Sequence, residues 1–161
     1  MRKTIFILLL LFVAIAAMYF LLPVPAAMQP QNFVTIRDQQ FAVEVARTPE
    51  SQARGLSGHA PLAPDEGMLF PFPAGSTPGF WMKDMLFPID IIWIVDDQVV
   101  GFVERAMPDD RPNRTTYYPP KPITEVLEVA AGTVARFGIQ VGDEVQFNVN
   151  PKSEYRNPKQ I

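Results

Sequence analysis

The chain has 161 residues, among them 17 prolines, one histidine and no cysteine, and a formal net charge of −3. Without cysteine it can form no disulfide, thiol nucleophile, iron–sulfur cluster or thiolate zinc site, and a single histidine excludes histidine-rich metal and metallohydrolase motifs. The acidic balance argues against a nucleic-acid partner and against an anionic lipid surface, since both require a basic face.

Arg2 and Lys3 precede a stretch from Thr4 to Leu22 that carries no charge. As a helix rising ~1.5 Å per residue, Ile5 to Leu22 would span roughly 27 Å, close to a ~30 Å hydrocarbon core. The basic pair predicts export of everything that follows. Two readings compete: an uncleaved membrane anchor, or a signal peptide cut near Val24-Pro25-Ala26. Both predict a domain in the periplasm or on the outer face of the cytoplasmic membrane, touching the membrane only through residues 1–27. Two of the 14 basic and none of the 17 acidic residues lie in that leader, so the remainder is more acidic than the whole.

Residues 28–150 suit one domain. "FVTIRDQQFAVEVA" predicts two strands joined at Arg37 to Gln40, with Phe41, Val43 and Val45 alternating against Ala42, Glu44 and Ala46. "TPESQARGL" predicts a short helix with Thr48 as N-cap, Pro49 at the first position, and Gly55 or Gly58 as terminator. "GMLFPF" predicts a short strand. "IDIIWIV" is apolar on both faces and belongs inside a sheet, turning at Asp96-Asp97 into "QVVGFVERA" as its hairpin partner. "DDRPNRTTYYPPKP" predicts a long loop, "ITEVLEVAAG" a strand, "TVARFG" one or two helical turns, and "DEVQFNV" a closing strand. Residues 151–161 predict a frayed tail. The expected fold is a compact, mainly antiparallel β-domain, a sheet or partly open barrel with one or two short helices.

In "FWMKDMLFPIDIIWIV" charge stands beside the largest aromatic side chain. If extended, this stretch turns Phe80 and Met82 to the core and leaves Trp81 on the face of Lys83, where the ammonium could lie over the indole. Asp90 shares a face with Ile92 and Ile94, so Arg54, Lys83 or Arg105 is expected near it to offset its burial. The competing reading is a purely structural ion-pair network that pins helix and loops to the sheet.

"RGLSGHAPLAPDEGMLFPF", "FWMKDMLFPIDIIWI" and "EVLEVAAGTVARFGIQVGDEV" together resemble the family called domain of unknown function 192 (DUF 192), over about residues 32 to 149. Ser57 stands where that family usually has Met, Asp84-Met85 where it has Asn-Thr, and Ile89 where it has Leu. The resemblance implies a β-rich, barrel-like fold in a small exported or membrane-attached protein, and no particular reaction. The polar motif positions it carries over are Arg54, Lys83, Asp90, Glu128 and Asp143, with Trp81 beside them. Asp143 and the motif glycines are best explained as turn positions, and Met68 and Phe70 as core.

Arg54, Trp81, Lys83, Asp90 and Glu128 are therefore the candidate ligand-binding set. The first reading is a binding module for a small ligand or an envelope partner, with Trp81 as floor, Arg54 and Lys83 donating, and Asp90 or Glu128 accepting. Tyr117 and Tyr118 could add a second aromatic wall. A hydrolase using Asp90 and Glu128 as an acid–base pair is the alternative, although no G-x-S-x-G nucleophile is present. A periplasmic Cu(I) or Ag(I) carrier built on Met68, Met82, Met85, Met107, His59 and Trp81 is the third, against which core packing better explains the methionines. No cofactor is implied.

Overall fold

The structure, a computed structural model, describes residues 32–150. Residues 1–27, expected to be an anchor or signal peptide, and residues 151–161, expected to be a tail, lie outside the described residues. Among those described, no helix is long and apolar enough to cross a membrane.

The chain opens with a hairpin, β1 (Phe33–Ile36) and β2 (Gln39–Val45), whose loop is only Arg37-Asp38, with Arg37 at a φ of 55°. Gln39 and Gln40, expected in that loop, already pair with Ile36 and Thr35. The helix α1 (Pro49–Arg54) begins at Thr48, whose hydroxyl accepts from the Ser51 amide while Ser51 Oγ accepts from the Thr48 amide. This reciprocal cap with Pro49 at the first position explains a helix in so short a segment. There follow β3 (Glu66–Ser76), β4 (Phe80–Trp81), β5 (Ile89–Val95), β6 (Gln98–Ala106), β7 (Thr116–Tyr117), β8 (Ile123–Ala130), α2 (Thr133–Phe137) and β9 (Val145–Asn148).

Seven strands form one sheet in the order β6-β5-β8-β3-β2-β1-β9, and β4 pairs with β7 apart from it. Every pairing is antiparallel except β2 with β3. A parallel pair needs a crossover of a dozen or more residues, and α1 lies within it. The sequence pattern does not reveal this parallel step, because half-buried strands alternate the same way in either direction. β4 and β7 are too short to show periodicity, and β7 lies inside the proline-rich loop.

The sheet curls into a half-barrel. At one end β6 meets β9: the Val99 amide donates to Asp143 at 2.9 Å, Gly142 donates to Val99 at 2.8 Å, and Val145 donates to Asp97 at 2.8 Å. Strands from both ends of the sheet, β1 and β9 as well as β5 and β6, share one apolar cluster around Phe41, Ile92, Leu127 and Val145. A flat sheet could not bring them together, so this cluster fills the concave side. The convex side of β3, β5 and β8 carries a second cluster, in which Met68, Phe70, Ile91 and Val126 pack under Leu56, Phe80, Met82, Met85 and Phe87. One sheet thus separates two cores, and the outer one is roofed by the α1 turn, β4 and the segment before β5.

Gly67 lets β3 approach β8 closely, since a Cβ there would lie 2.7 Å from the Glu128 carbonyl oxygen and 3.2 Å from Val129. Gly67→Ala is expected to cost about 1–3 kcal/mol through displaced backbone, measured by urea denaturation. A change under half of the lower figure would mean the strands part without strain.

Candidate functional site

Alternation along β5 and β8 decides which carboxylates can share a site. Asp90 pairs with Val129 across the strands, whereas Glu128 pairs with Ile91. Paired residues point to the same face and neighbours to opposite faces. Asp90 therefore faces the concave core with Ile92 and Ile94, and Glu128 faces the convex core with Ile91. The sheet stands between them. They cannot act on one substrate, which removes the acid–base pair that a hydrolase would need.

Asp90 is fully buried, and its partners are not the side chains expected. Its Oδ1 accepts from the Arg105 amide at 2.8 Å and the Gly132 amide at 3.1 Å, and its Oδ2 from the Val134 amide at 2.9 Å. The β5–β6 register shifts between Ile89 and Ile91, where Arg105 adopts a φ of 53°. Asp90 receives the amide turned out by this bulge. It also caps α2, whose own N-cap, Gly132, has no side chain to do so. Three amides hydrogen-bonding a carboxylate replace the predicted cation. Asp90 is thus a strut of the fold and lies outside the cleft.

Glu128 is the opposite case. Its side chain is buried, with 6% of its surface exposed, and makes no hydrogen bond or ion pair among the described residues. Burial alone raises its pKa to about 8. It lies in the wall of a cavity of about 170 Å³ that is open to solvent, together with Leu56, Phe70, Phe72, Phe80, Trp81, Met85 and Arg54. Phe80 packs edge-on against Phe70 at 5.4 Å and Phe72 at 6.1 Å, which makes one aromatic wall. Gln52 fixes α1 above the sheet by donating to the carbonyls of Pro71 at 2.8 Å and Ala46 at 3.2 Å. Gly55 ends the helix at a φ of 49°, and a Cβ there would meet the Phe70 ring at 3.4 Å. Arg54 thereby reaches the mouth, its side chain exposed and without a hydrogen bond or ion pair among the described residues.

A shallower basin of about 410 Å³ adjoins the cavity and shares Arg54, Ser57 and Trp81 with it, adding Lys83, Asp84 and Arg114. The expected alternation holds, since Phe80 and Met82 are buried while Trp81 and Lys83 are exposed. Its geometry differs: the strand ends at Trp81, and Lys83-Asp84 form a turn with Asp84 at a φ of 56°. Lys83 Nζ sits 3.5 Å from Asp84 Oδ2 rather than over the Trp81 indole. Ser57 Oγ donates to the Lys83 carbonyl at 2.8 Å and the Gly58 amide to that of Asp84 at 2.9 Å, tying this turn to the segment after α1. Opposite, Asp109 holds the loop by accepting from Arg111 and from the Thr115 amide, which keeps its carboxyl well below the usual range.

Arg54, Trp81 and Glu128 of the candidate set therefore line one cavity, Lys83 lies in the adjoining basin, and Asp90 is elsewhere. Arg114, missed in the sequence, joins the basin, and its Nε is buried without a partner. Nothing in a proline-rich loop marks it. Tyr117 packs in the outer core and Tyr118 lies against Gly79, so neither walls the cavity. Met68, Met82 and Met85 pack in the outer core while Met107 is exposed. No cluster of three or more His, Asp or Glu side chains that could hold a metal occurs among the described residues.

Fold and site together define a small β half-barrel with a cavity on its convex face that a buried acid lines. The chain belongs to the DUF192 family, described as "Uncharacterized ACR", which it matches over residues 32–147. It is similar to a crystal structure of a protein of unknown function from Novosphingobium aromaticivorans DSM 12444, at 34% identity and a TM-score of 0.66, covering 71% of this chain and 83% of that one. It is also similar to a candidate transcription regulator from Sinorhizobium meliloti 1021, at 30% identity and a TM-score of 0.67, covering 73% and 95% respectively. No curated protein matches the chain.

Because Lys83 and Asp90 have no contact, their substitutions should act independently. Lys83→Met is expected to change stability by less than about 1 kcal/mol, as for exposed pairs. Asp90→Ala, which orphans three amides, should cost about 3–5 kcal/mol. In urea denaturation the double variant should equal the sum within about 0.5 kcal/mol; strong coupling would restore the ion-pair network.

Proposed function

We propose that the protein is a small-ligand-binding domain and that the ligand enters the cleft lined by Glu128. The observation that carries this is a buried carboxyl with no partner, placed in a cavity open to solvent. A fold gains nothing from such a group, because leaving a polar side chain buried and unmatched costs stability. Rule-breaking side chains of this kind concentrate at functional sites. Arg54 and Trp81 at the mouth supply what recognition needs: a fixed fork of donors and a flat apolar surface. The Sinorhizobium relative's description as a transcription regulator finds little support here, since the chain is acidic overall and the cations Arg54, Lys83 and Arg114 gather in one small basin.

Replacement of Glu128 tests the reading. Its pKa rises from 4.5 in the unfolded chain to about 8 in the fold, so its contribution is complete below pH 4.5 and is lost as pH rises to about 8. The slope is about 1.4 kcal/mol per pH unit at most. Glu128→Gln should match wild type in urea denaturation at pH 5 and exceed it by several kcal/mol at pH 8. Glu128→Leu should be more stable than wild type at pH 7 by about 1–3 kcal/mol, as for other buried charges replaced by apolar groups. A destabilised Glu128→Leu at every pH would make Glu128 a structural residue and end the proposal.

The same proposal puts the domain outside the cytoplasm, tethered or released there by the leader. The support is the Arg2-Lys3 pair before an uncharged span. A reporter active only after export, fused after Ile161, should be active; an inactive fusion would refute export.

A further inference from the structure

We infer that the ligand is a small organic anion, held by its charged group between Arg54 and Arg114 over Trp81, with an uncharged hydrogen-bond acceptor inserted to Glu128. This rests on the cleft being the binding site and adds the chemistry of what fills it.

Charge at the mouth comes first. The basin carries Arg54, Lys83 and Arg114 against one carboxylate, Asp84, in a chain whose formal net charge is −3. Lys83 is already engaged by Asp84. Arg54 and Arg114 have no acceptor among the described residues, and the Arg114 Nε is buried as well. A guanidinium presents five donors and no acceptor, so two unmatched forks ask for oxygen atoms that carry negative charge. Trp81, 45% exposed in the same basin, gives a flat apolar surface to the body of such a molecule.

Size comes second. The inner cavity of about 170 Å³ holds the equivalent of roughly six waters, well below a pocket that swallows a drug-sized ligand. One end of the ligand goes in and the rest lies across the basin. The walls offered by Phe70, Phe80 and Met85 are apolar, and Glu128 is the polar group they surround.

The protonation of Glu128 then fixes which end goes in. Arg54 is the one other charged side chain lining this cavity, and the facing residues of β3 and β5, Met68 and Ile91, do not titrate. With its pKa raised to about 8 by burial, Glu128 is an acid at neutral pH, and its O–H donates to a carbonyl, ether or hydroxyl oxygen. An ammonium group would have to pass the cations at the mouth and expel that proton. A small anion with a neutral oxygen at its far end matches both halves of the cleft.

Calorimetric titration of the full chain with three isosteres whose far end is an ether oxygen, which accepts and cannot donate, tests this: 4-methoxyphenylacetate, its neutral amide, and the cation 4-methoxyphenethylamine. The anion is expected to bind at least about tenfold more tightly than the other two. Arg54→Gln should weaken the anion's affinity more than the amide's and so shrink that preference. Affinity for the anion should be level from pH 6 to 7 and fall as pH passes about 8, where Glu128 ionises, and Glu128→Gln should flatten the profile. Tightest binding of the cation, with affinity rising toward pH 8, would overturn the charge assignment and leave the cleft as the site. Binding of none of the three at millimolar concentration would overturn the ligand class, whereas the cleft itself falls only if Glu128→Leu destabilises the fold.

Discussion

One buried carboxylate organises this domain. Asp90 takes up three main-chain amides that no strand or helix can satisfy: one from the bulge in β6, one from the turn after β8, one from the first turn of α2. Each of those features departs from regular pairing, and each would leave an orphan donor in a dry core. By collecting them at one point, Asp90 lets β6 bend, lets β8 turn through Gly132 at a φ of 88°, and seats α2 over the end of the half-barrel. The bend in β6, the turn after β8 and the start of α2 thus meet at one side chain on the concave face.

The division into concave and convex cores gives the two acidic residues of neighbouring strands contrary roles. Asp90 is matched by fixed dipoles and stabilises. Glu128, one register step away on the other face, has apolar neighbours and no matching donor. The same sheet thus contains a carboxylate in the best setting the backbone can offer and another in one of the worst. The convex layer that creates the poor setting is thin. It consists of one helical turn, a two-residue strand and a loop, joined by Ser57 and Gly58 to the Lys83–Asp84 turn. A layer so built leaves a gap where a solid core would have closed over Glu128.

Much of the fold could be read from periodicity. The β1–β2 hairpin, the capped α1, the β5–β6 hairpin and the closing strands follow from two-residue alternation, Thr48-Pro49, Asp96-Asp97 and glycine positions, all of which act locally. The inward turn of Asp90 with Ile92 and Ile94 was legible for the same reason. Its partners were not, because backbone amides carry no mark in a sequence, whereas the cations first expected there do. Arg54, Trp81 and Glu128 were legible as members of one set only through the family resemblance, since α1 reaches its place within a parallel crossover that alternation cannot reveal and β4 is too short to show a period. Arg114 comes from a loop whose path is fixed by Asp109, a contact without any periodic signature.

The pairing of β1 with β9 has a mechanical side. Phe33 lies opposite Asn148, and the Asn150 amide donates to Asn32 Oδ1 at 2.8 Å, so the chain enters and leaves the domain at the same end of one antiparallel pair. Hydrogen bonds in such a pair run across the strands. Tension applied between the two ends would load them singly, from Asn32 inward, like a zipper. It would not load them together, as shear along the strands does. Held at one end alone, the domain would bear no such load. Stretched between two attachments, it would yield first at the seam, with the convex cleft far along the chain from the tear.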